Sequence, residues 1–545
     1  MDRSSYQDDG PTRRRRPGPC DRLRRHYDVP KAAPLSDEQV RQRDVIIPAL
    51  IFKPWFLVPS SLAVQFCVGA LLALPSFQPS ICASVVDGAD PGRNALLTCD
   101  NVVPLMLHVT LASFTIASTI VGPWVQRHGP RQVVITGGWF LLAGYVFAAT
   151  GAFALTTWVS ITGFGLFAGT GLAMLYVASL APLMQWFPTR RGLVSAASGC
   201  GFGLGALVVP YLTNALLDAA PATNRGAALS FIYVGVLLFG VCALASFVQR
   251  CPPTPNYEVD GVSMDTIAGT EMLGALDADA HDRLRSAMQM SLPDAIVNRE
   301  FLRLWVVFFG ASIAGLPVLI RIHTSMPGKG TLALAFSDVL GRLLVPAVSD
   351  RAGRKACLLA CLVCQLVGMV VLPGMLADPW AVVGVAVVLG FAGGAGQGVM
   401  APILADMFSS AHASTALALM MTSWSTAGLL GGIALDLSTH YLGSYAPALR
   451  CMAAMVGVSV AVGALMPVTL RDRRLPYDVG EIARFRLFGQ RVSVYRPFAI
   501  RHVRAAQDDK AWFQYLNDVA ADRVVDRPAA PKLVRVMSIS DEAIF

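Results

Sequence analysis

Residues 346–355 read PAVSDRAGRK, an apolar run closing on Asp350, Arg351, Gly353, Arg354 and Lys355. An apolar segment that ends in a burst of cations reads as a helix leaving a bilayer, because Lys and Arg collect in the loops on the cytoplasmic side. The run before it, 330–349, is long enough to cross about 30 Å of hydrocarbon as a helix. An echo lies upstream: RHGPR at 127–131 closes the apolar run 102–125 in the same way, at an offset of about 224 residues. Gly169 and Gly171 recur as Gly394 and Gly396 at nearly that offset. The chain therefore reads as two related halves.

Composition agrees with a membrane body. Over 545 residues, 54% are hydrophobic and 15% charged, with a mean hydropathy of +0.53; soluble domains carry about 25% charged residues. Apolar windows fall at 55–77, 102–125, 133–152, 157–184, 192–217 and 229–247, and again at 301–320, 330–349, 356–376, 380–404, 413–437 and 446–468. This predicts an all-α polytopic protein of twelve transmembrane helices in two six-helix bundles. The expected divisions are a basic tail 1–53, a first bundle 54–247, a linker 248–300, a second bundle 301–470 and a tail 471–545. The apolar sequence begins only after residue 50, so the first span is read as retained rather than cleaved.

Charge sits at the chain ends and in alternate loops. Residues 1–53 hold 12 Lys and Arg against 8 Asp and Glu, with a run at Arg13, Arg14, Arg15 and Arg16; residues 471–545 hold 14 against 10. Arg127, Arg131, Arg190, Arg191 and the linker arginines share a side with Arg351, Arg354 and Lys355, which places both termini in the cytoplasm. Basic tails flanking a membrane body suit anionic lipid rather than nucleic acid. DADAHDRLRSAMQ at 277–289 reads as a surface helix of the linker, and AWFQYLNDV at 511–519 as an amphipathic helix for a protein partner that the sequence does not identify.

The two loops resemble the signature G-x-x-x-D-R-x-G-R-R/K of the major facilitator superfamily. The first copy, GPWVQRHGPRQ at 122–132, has Gln126 in place of the acid and keeps Arg127, Gly129 and Arg131; the second keeps Asp350, Arg351, Gly353, Arg354 and Lys355. The resemblance implies the major facilitator fold, with these residues as a conformational latch between helix ends. Plain topology charge is the alternative reading for part of them. GPWVQRHGPRQVVITGG (122–138) and QWFPTRRGLVSAASGCGFGLGALVVP (185–210) look like the branch that holds the oxalate:formate exchangers and the monocarboxylate transporters.

Asp338 and Arg342 in GTLALAFSDVLGRLLVPAVSD (330–350) lie one turn apart, so both face the same side of the eighth span, with Cβ atoms about 5–6 Å apart. A charge at bilayer depth costs about 2.5–3.5 kcal/mol on insertion scales, which asks for a reason to keep two. A self-neutralised structural pair is one answer. The other is a carboxylate-binding arginine whose resting counter-ion is Asp338. The resemblance implies the second, since Arg342 falls where both branches carry a substrate-binding arginine and Asp338 matches the acidic partner of the monocarboxylate transporters. It also places Trp424, in ALALMMTSWSTAGLLGG (416–432), where the exchangers have a second cation, and Ser76 where mammalian lactate transporters have a lysine. One buried cation suits a monoanion.

Weaker candidates follow. His108 titrates in the range of a proton path and is expected, with Asp338, to serve proton coupling. Gln65, Asn214, Gln365 and Gln397 read as links between helices. Cys357, Cys361 and Cys364 have a cluster-like spacing but sit on an apolar helix, where packing is the better reading. Cys82 and Cys99 share an outer loop and can pair. No metal-ligand cluster, nucleophile elbow or phosphate loop is evident, so neither an enzyme nor a bound cofactor is expected. The leading function is a secondary carrier of a small monocarboxylate such as pyruvate or lactate, proton-coupled, in the plasma membrane. An oxalate:formate-type anion exchanger and a non-transporting membrane sensor or scaffold are the alternatives.

Overall fold

Among the described residues of the computed structural model, twelve helices long and apolar enough to cross a membrane follow one another. They are α1 Pro54–Phe77, α2 Val102–His128, α3 Pro130–Phe153, α4 Thr157–Trp186, α5 Arg191–Ala219, α6 Asn224–Ser246, α7 Arg299–Ser325, α8 Lys329–Ala352, α9 Arg354–Gly374, α10 Pro379–Phe408, α11 Ala413–Leu442 and α12 Ala446–Leu465. The structure describes residues 26–27, 45–47, 50–79, 81–82, 99, 101–220, 224–253, 258–259, 262–263, 299–325, 329–408, 412–466, 481–487 and 490–495. The arginine run at 13–16 and the helices expected at 277–289 and 511–519 lie outside the described residues.

The duplication is visible in the packing. Within the first half α1 lies against α5, α2 against α4, and α3 against α4 and α6; within the second, α7 lies against α11, α8 against α10, and α9 against α10 and α12. Each pair repeats six helices later. The halves meet along two seams, α2 against α11 and α5 against α8. The loops that carry the repeated signature turn on Gly129 and Gly353, whose φ values of 78° and 93° suit glycine. Outward faces carry exposed apolar side chains such as Ile116, Leu244 and Val370, the surface a bilayer covers rather than water.

Among the described residues three two-stranded antiparallel hairpins lie outside the helices, in segments for which no strand was expected: β1 Val45–Ile47 with β2 Leu50–Ile51, β3 Glu258–Val259 with β4 Val262–Ser263, and β5 Glu481–Leu487 with β6 Gln490–Tyr495. The signal for the longest was the alternation in EIARFRL and QRVSVY, a period of two that a search for membrane spans passes over. Cys82 and Cys99 are disulfide-bonded. Cys361 packs against Ala392 and Ala395 while Cys364 is exposed. His26 and Tyr27 of the tail both touch α2. Pro123 has no N–H to give the carbonyl of Thr119 one turn back, and the Tyr27 hydroxyl donates to that oxygen instead, at 2.6 Å.

Candidate functional site

The central pair forms as its spacing demands: Arg342 Nε donates to Asp338 Oδ2 at 2.7 Å. Both residues are buried, 5% and 7% exposed. The depth is made possible by α10, where a Cβ at Gly394 would stand 2.4 Å from the Asp338 carbonyl oxygen and 2.7 Å from its Oδ1. Only a residue without a side chain lets α10 lie this close to the pair. Among the described residues the terminal NH2 groups of Arg342 make no hydrogen bond, so the guanidinium keeps both of these donor groups for a further anion.

These donors border a cleft between the halves with about 520 Å³ of empty space, counting its opening. Leu72 of α1, Phe202 and Ala206 of α5, Leu316 of α7, Leu334 of α8 and Trp424 of α11 give it apolar walls. Gln397 and Ser312 supply its polar spot, the Gln397 amide donating to the Ser312 hydroxyl at 3.2 Å. The Arg342 guanidinium carbon lies 4.2 Å from the centre of the Phe202 ring. Trp424 stands edge-on to Phe202 at 6.3 Å and tilted against Phe114 at 5.3 Å. Trp424 thus shares the cleft with Asp338 and Arg342, whereas Ser76 does not line it.

At the end of the bundles where the repeated loops lie, the signature residues behave unequally. Asp350 reaches across to the first half and accepts from the backbone N–H groups of Gly192 (2.9 Å) and Leu193 (3.0 Å), capping α5 where the helix dipole favours an anion. Arg354 pairs with Asp350 at 2.9 Å and with Asp406. Asp406 in turn accepts from Arg191 Nη1 at 2.7 Å, joining α10 to α5. Ser195 adds a donated hydrogen bond to the Gly398 carbonyl at 2.7 Å. Lys355 instead donates to the carbonyls of Ala464 (2.8 Å) and Met466, and Arg351 is exposed. The first copy stays within its own half: Arg127 donates to the His26 carbonyl at 2.6 Å, and Arg131 stacks on Phe247 at 5.2 Å. Gln126 carries no charge with which to repeat the Asp350 cap.

The structure does not bring His108 to the central pair. Its Nε2 lies 3.8 Å from Asp436 Oδ2 of α11, in a second cleft lined also by Leu107, Pro317 and Gly432. Arg191 pairs with Asp406 across spans of different halves, and His108 lies beside Asp436 in the same way. Asp406 has no Lys or Arg one turn away on its own helix to mark it, and Asp436 has only His440 there. A trace existed for Asp406, since APILADMF at 401–408 repeats APLMQWF at 181–187 with an acid put in. Gln65 links α1 to α4 through Ser179, and Gln365 links α9 to α7 through the Ala311 carbonyl, as read. Gln397 links α10 to α7 through the Ser312 hydroxyl while also lining the cleft, whereas Asn214 is exposed.

The comparisons with known proteins agree with this architecture. The chain matches the family profile of the Major Facilitator Superfamily over residues 101–326 and 322–525. It is 26% identical over 219 residues to an oxalate:formate antiporter of Oxalobacter formigenes, a match covering 39% of this chain and 43% of the antiporter. It is 23% identical over 350 residues to monocarboxylate transporter 13 of Bos taurus, covering 62% of this chain and 74% of that protein. The solved structure of the proton:xylose symporter superposes with a TM-score of 0.60 at 13% identity, covering 75% of this chain and 94% of the symporter. These relatives are transporters and not enzymes. The chain belongs to the Major Facilitator Superfamily, with relatives in the oxalate:formate and monocarboxylate branch.

Proposed function

We infer that this multi-pass membrane transporter carries a small organic monocarboxylate, of the pyruvate or lactate kind, together with a proton. The observation that supports it is the buried Asp338–Arg342 pair on the wall of the cleft, with both terminal guanidinium donor groups unspent. A carboxylate docking on those donors puts two anions on one cation in a poorly solvated space. The excess charge is relieved when Asp338 binds a proton, leaving a loaded site that is neutral overall. By reciprocity the proton tightens substrate binding. Gln397 and Ser312 offer a second polar contact for a 2-oxo or 2-hydroxy oxygen, while the apolar walls favour a short chain.

Alternating access follows if the halves rock about the cleft. The contacts of Asp350, Arg191 and Ser195 then form the closed gate at the signature end, which the cation distribution assigns to the cytoplasm together with both termini. The plasma membrane is proposed as its location. Purified protein in proteoliposomes, given a panel of radiolabelled carboxylates and an imposed proton gradient, tests the reading. Net uptake of a monocarboxylate driven by an inward proton gradient is expected. Strict one-for-one exchange without a response to the gradient would favour the oxalate:formate type of antiport, and absence of any flux would favour a sensor or scaffold.

A further inference from the structure

Two consecutive residues of α5 touch both members of the central pair from the opposite half of the molecule. The Phe202 ring faces the Arg342 guanidinium at 4.2 Å. At Gly203 a Cβ would stand 2.6 Å from Val339 Cγ2 and 3.2 Å from Asp338 Oδ2. The glycine lets α5 settle on α8, and that approach seats the ring on the cation. We propose that Phe202 is a substrate-positioning residue, which holds the plane of the Arg342 guanidinium so that its two free donor groups meet a carboxylate only while α5 and α8 are closed together.

The geometry constrains the guanidinium twice. Asp338 holds it by an in-plane hydrogen bond at Nε, 2.7 Å long, and the ring holds it by its face. One in-plane bond leaves the group free to rotate about that bond, and a face contact removes the rotation. What remains is a single orientation of the guanidinium plane, on a residue that lines the cleft. An aromatic face attracts a cation through its quadrupole, which a flat apolar side chain of equal bulk does not. The ring is propped in turn by Trp424, edge-on at 6.3 Å, so a residue of α11 in the second half supports a residue of α5 in the first. A carboxylate bound to Arg342 is therefore held by a surface that both halves complete. Separation of α5 from α8 would release the ring, free the guanidinium to turn and loosen the anion at the moment the site changes sides.

This proposal rests on the carboxylate reading of the same site, and the experiment separates the two. Phe202→Leu and Phe202→Trp are compared with wild type for uptake of radiolabelled pyruvate in proteoliposomes, with the amount of folded carrier fixed by gel filtration. Phe202→Leu is expected to raise KM about five- to thirty-fold, the scale of a desolvated cation–π contact, with a smaller effect on the maximal rate per folded carrier. Phe202→Trp, which keeps an aromatic face, should restore KM to within about threefold of wild type on the same scale. A KM for Phe202→Leu within twofold of wild type would overturn the proposal, as would equal KM values for Leu and Trp. If wild type moves no monocarboxylate, the carboxylate reading fails by itself. A double-mutant cycle on melting temperature between Phe202→Leu and Arg342→Met then still decides the contact. Non-additive shifts support it, and additive shifts remove it.

Discussion

Asp406→Asn should open the molecule at the signature end. Asp406 Oδ1 accepts from Arg191 Nη1 at 2.7 Å, and Arg191 is 2% exposed, so this bond joins the halves in a nearly dry setting. Arg354 lies in the same half as Asp406 and keeps Asp350 at 2.9 Å after the change. Arg191 keeps only the Met184 carbonyl, through Nε at 3.3 Å. Breaking a buried pair costs about 3–5 kcal/mol, and a carboxamide oxygen can return about 1 kcal/mol as a neutral acceptor. The remaining penalty of about 2–4 kcal/mol applies only while the halves are closed, since Arg191 regains water when they part. At about 1.4 kcal/mol per tenfold, the ratio of open to closed should rise about 30- to 700-fold. Ser195 reports this, because its hydroxyl is buried behind the pair and donates to the Gly398 carbonyl at 2.7 Å. A Ser195→Cys carrier, measured against the same protein without that thiol, is expected to react with a bulky maleimide at least about tenfold faster once Asp406→Asn is added, a conservative floor on that shift. Labelling rates within twofold, in protein that still runs as a single folded species, would refute the assignment of this pair to the closed gate.

Three further outcomes are expected. Arg342→Lys should abolish most uptake while membrane delivery persists, because an ammonium cannot offer the two-pronged donor edge of a guanidinium; wild-type rates in well-expressed Arg342→Ala would remove the site. Wild-type uptake should rise as outside pH falls, since the proton and the anion bind together, and Asp338→Asn should lose the response of net flux to a proton gradient while keeping some exchange. An unchanged pH profile in that variant would reduce the pair to a structural salt bridge. An N-terminal tag should be reached by antibody only after permeabilisation of cells that carry the protein at their surface, and labelling of intact cells would invert the topology.

The helices and their number were legible in the sequence because a bilayer imposes a local rule: about 20 apolar residues per crossing, with cations at the exits. The duplication was legible because PAVSDRAGRK and GPWVQRHGPRQ keep the same place at the ends of α8 and α2. Asp338 and Arg342 were legible because one helix carries both, and 3.6 residues per turn puts positions four apart side by side. The tertiary structure alone decided which side chains meet across helices. Arg191 finds Asp406 at a separation of 215 residues, Phe202 finds Arg342, and His108 finds Asp436 instead of the central pair. Such meetings depend on how closely and at what height two helices pass. Here that is set by small residues at the crossings, Gly203 on α5 and Gly394 on α10, whose partner atoms lie on α8 far away in the chain. Periodicity determines the face a residue occupies on its own helix, and helix packing determines what that face looks at.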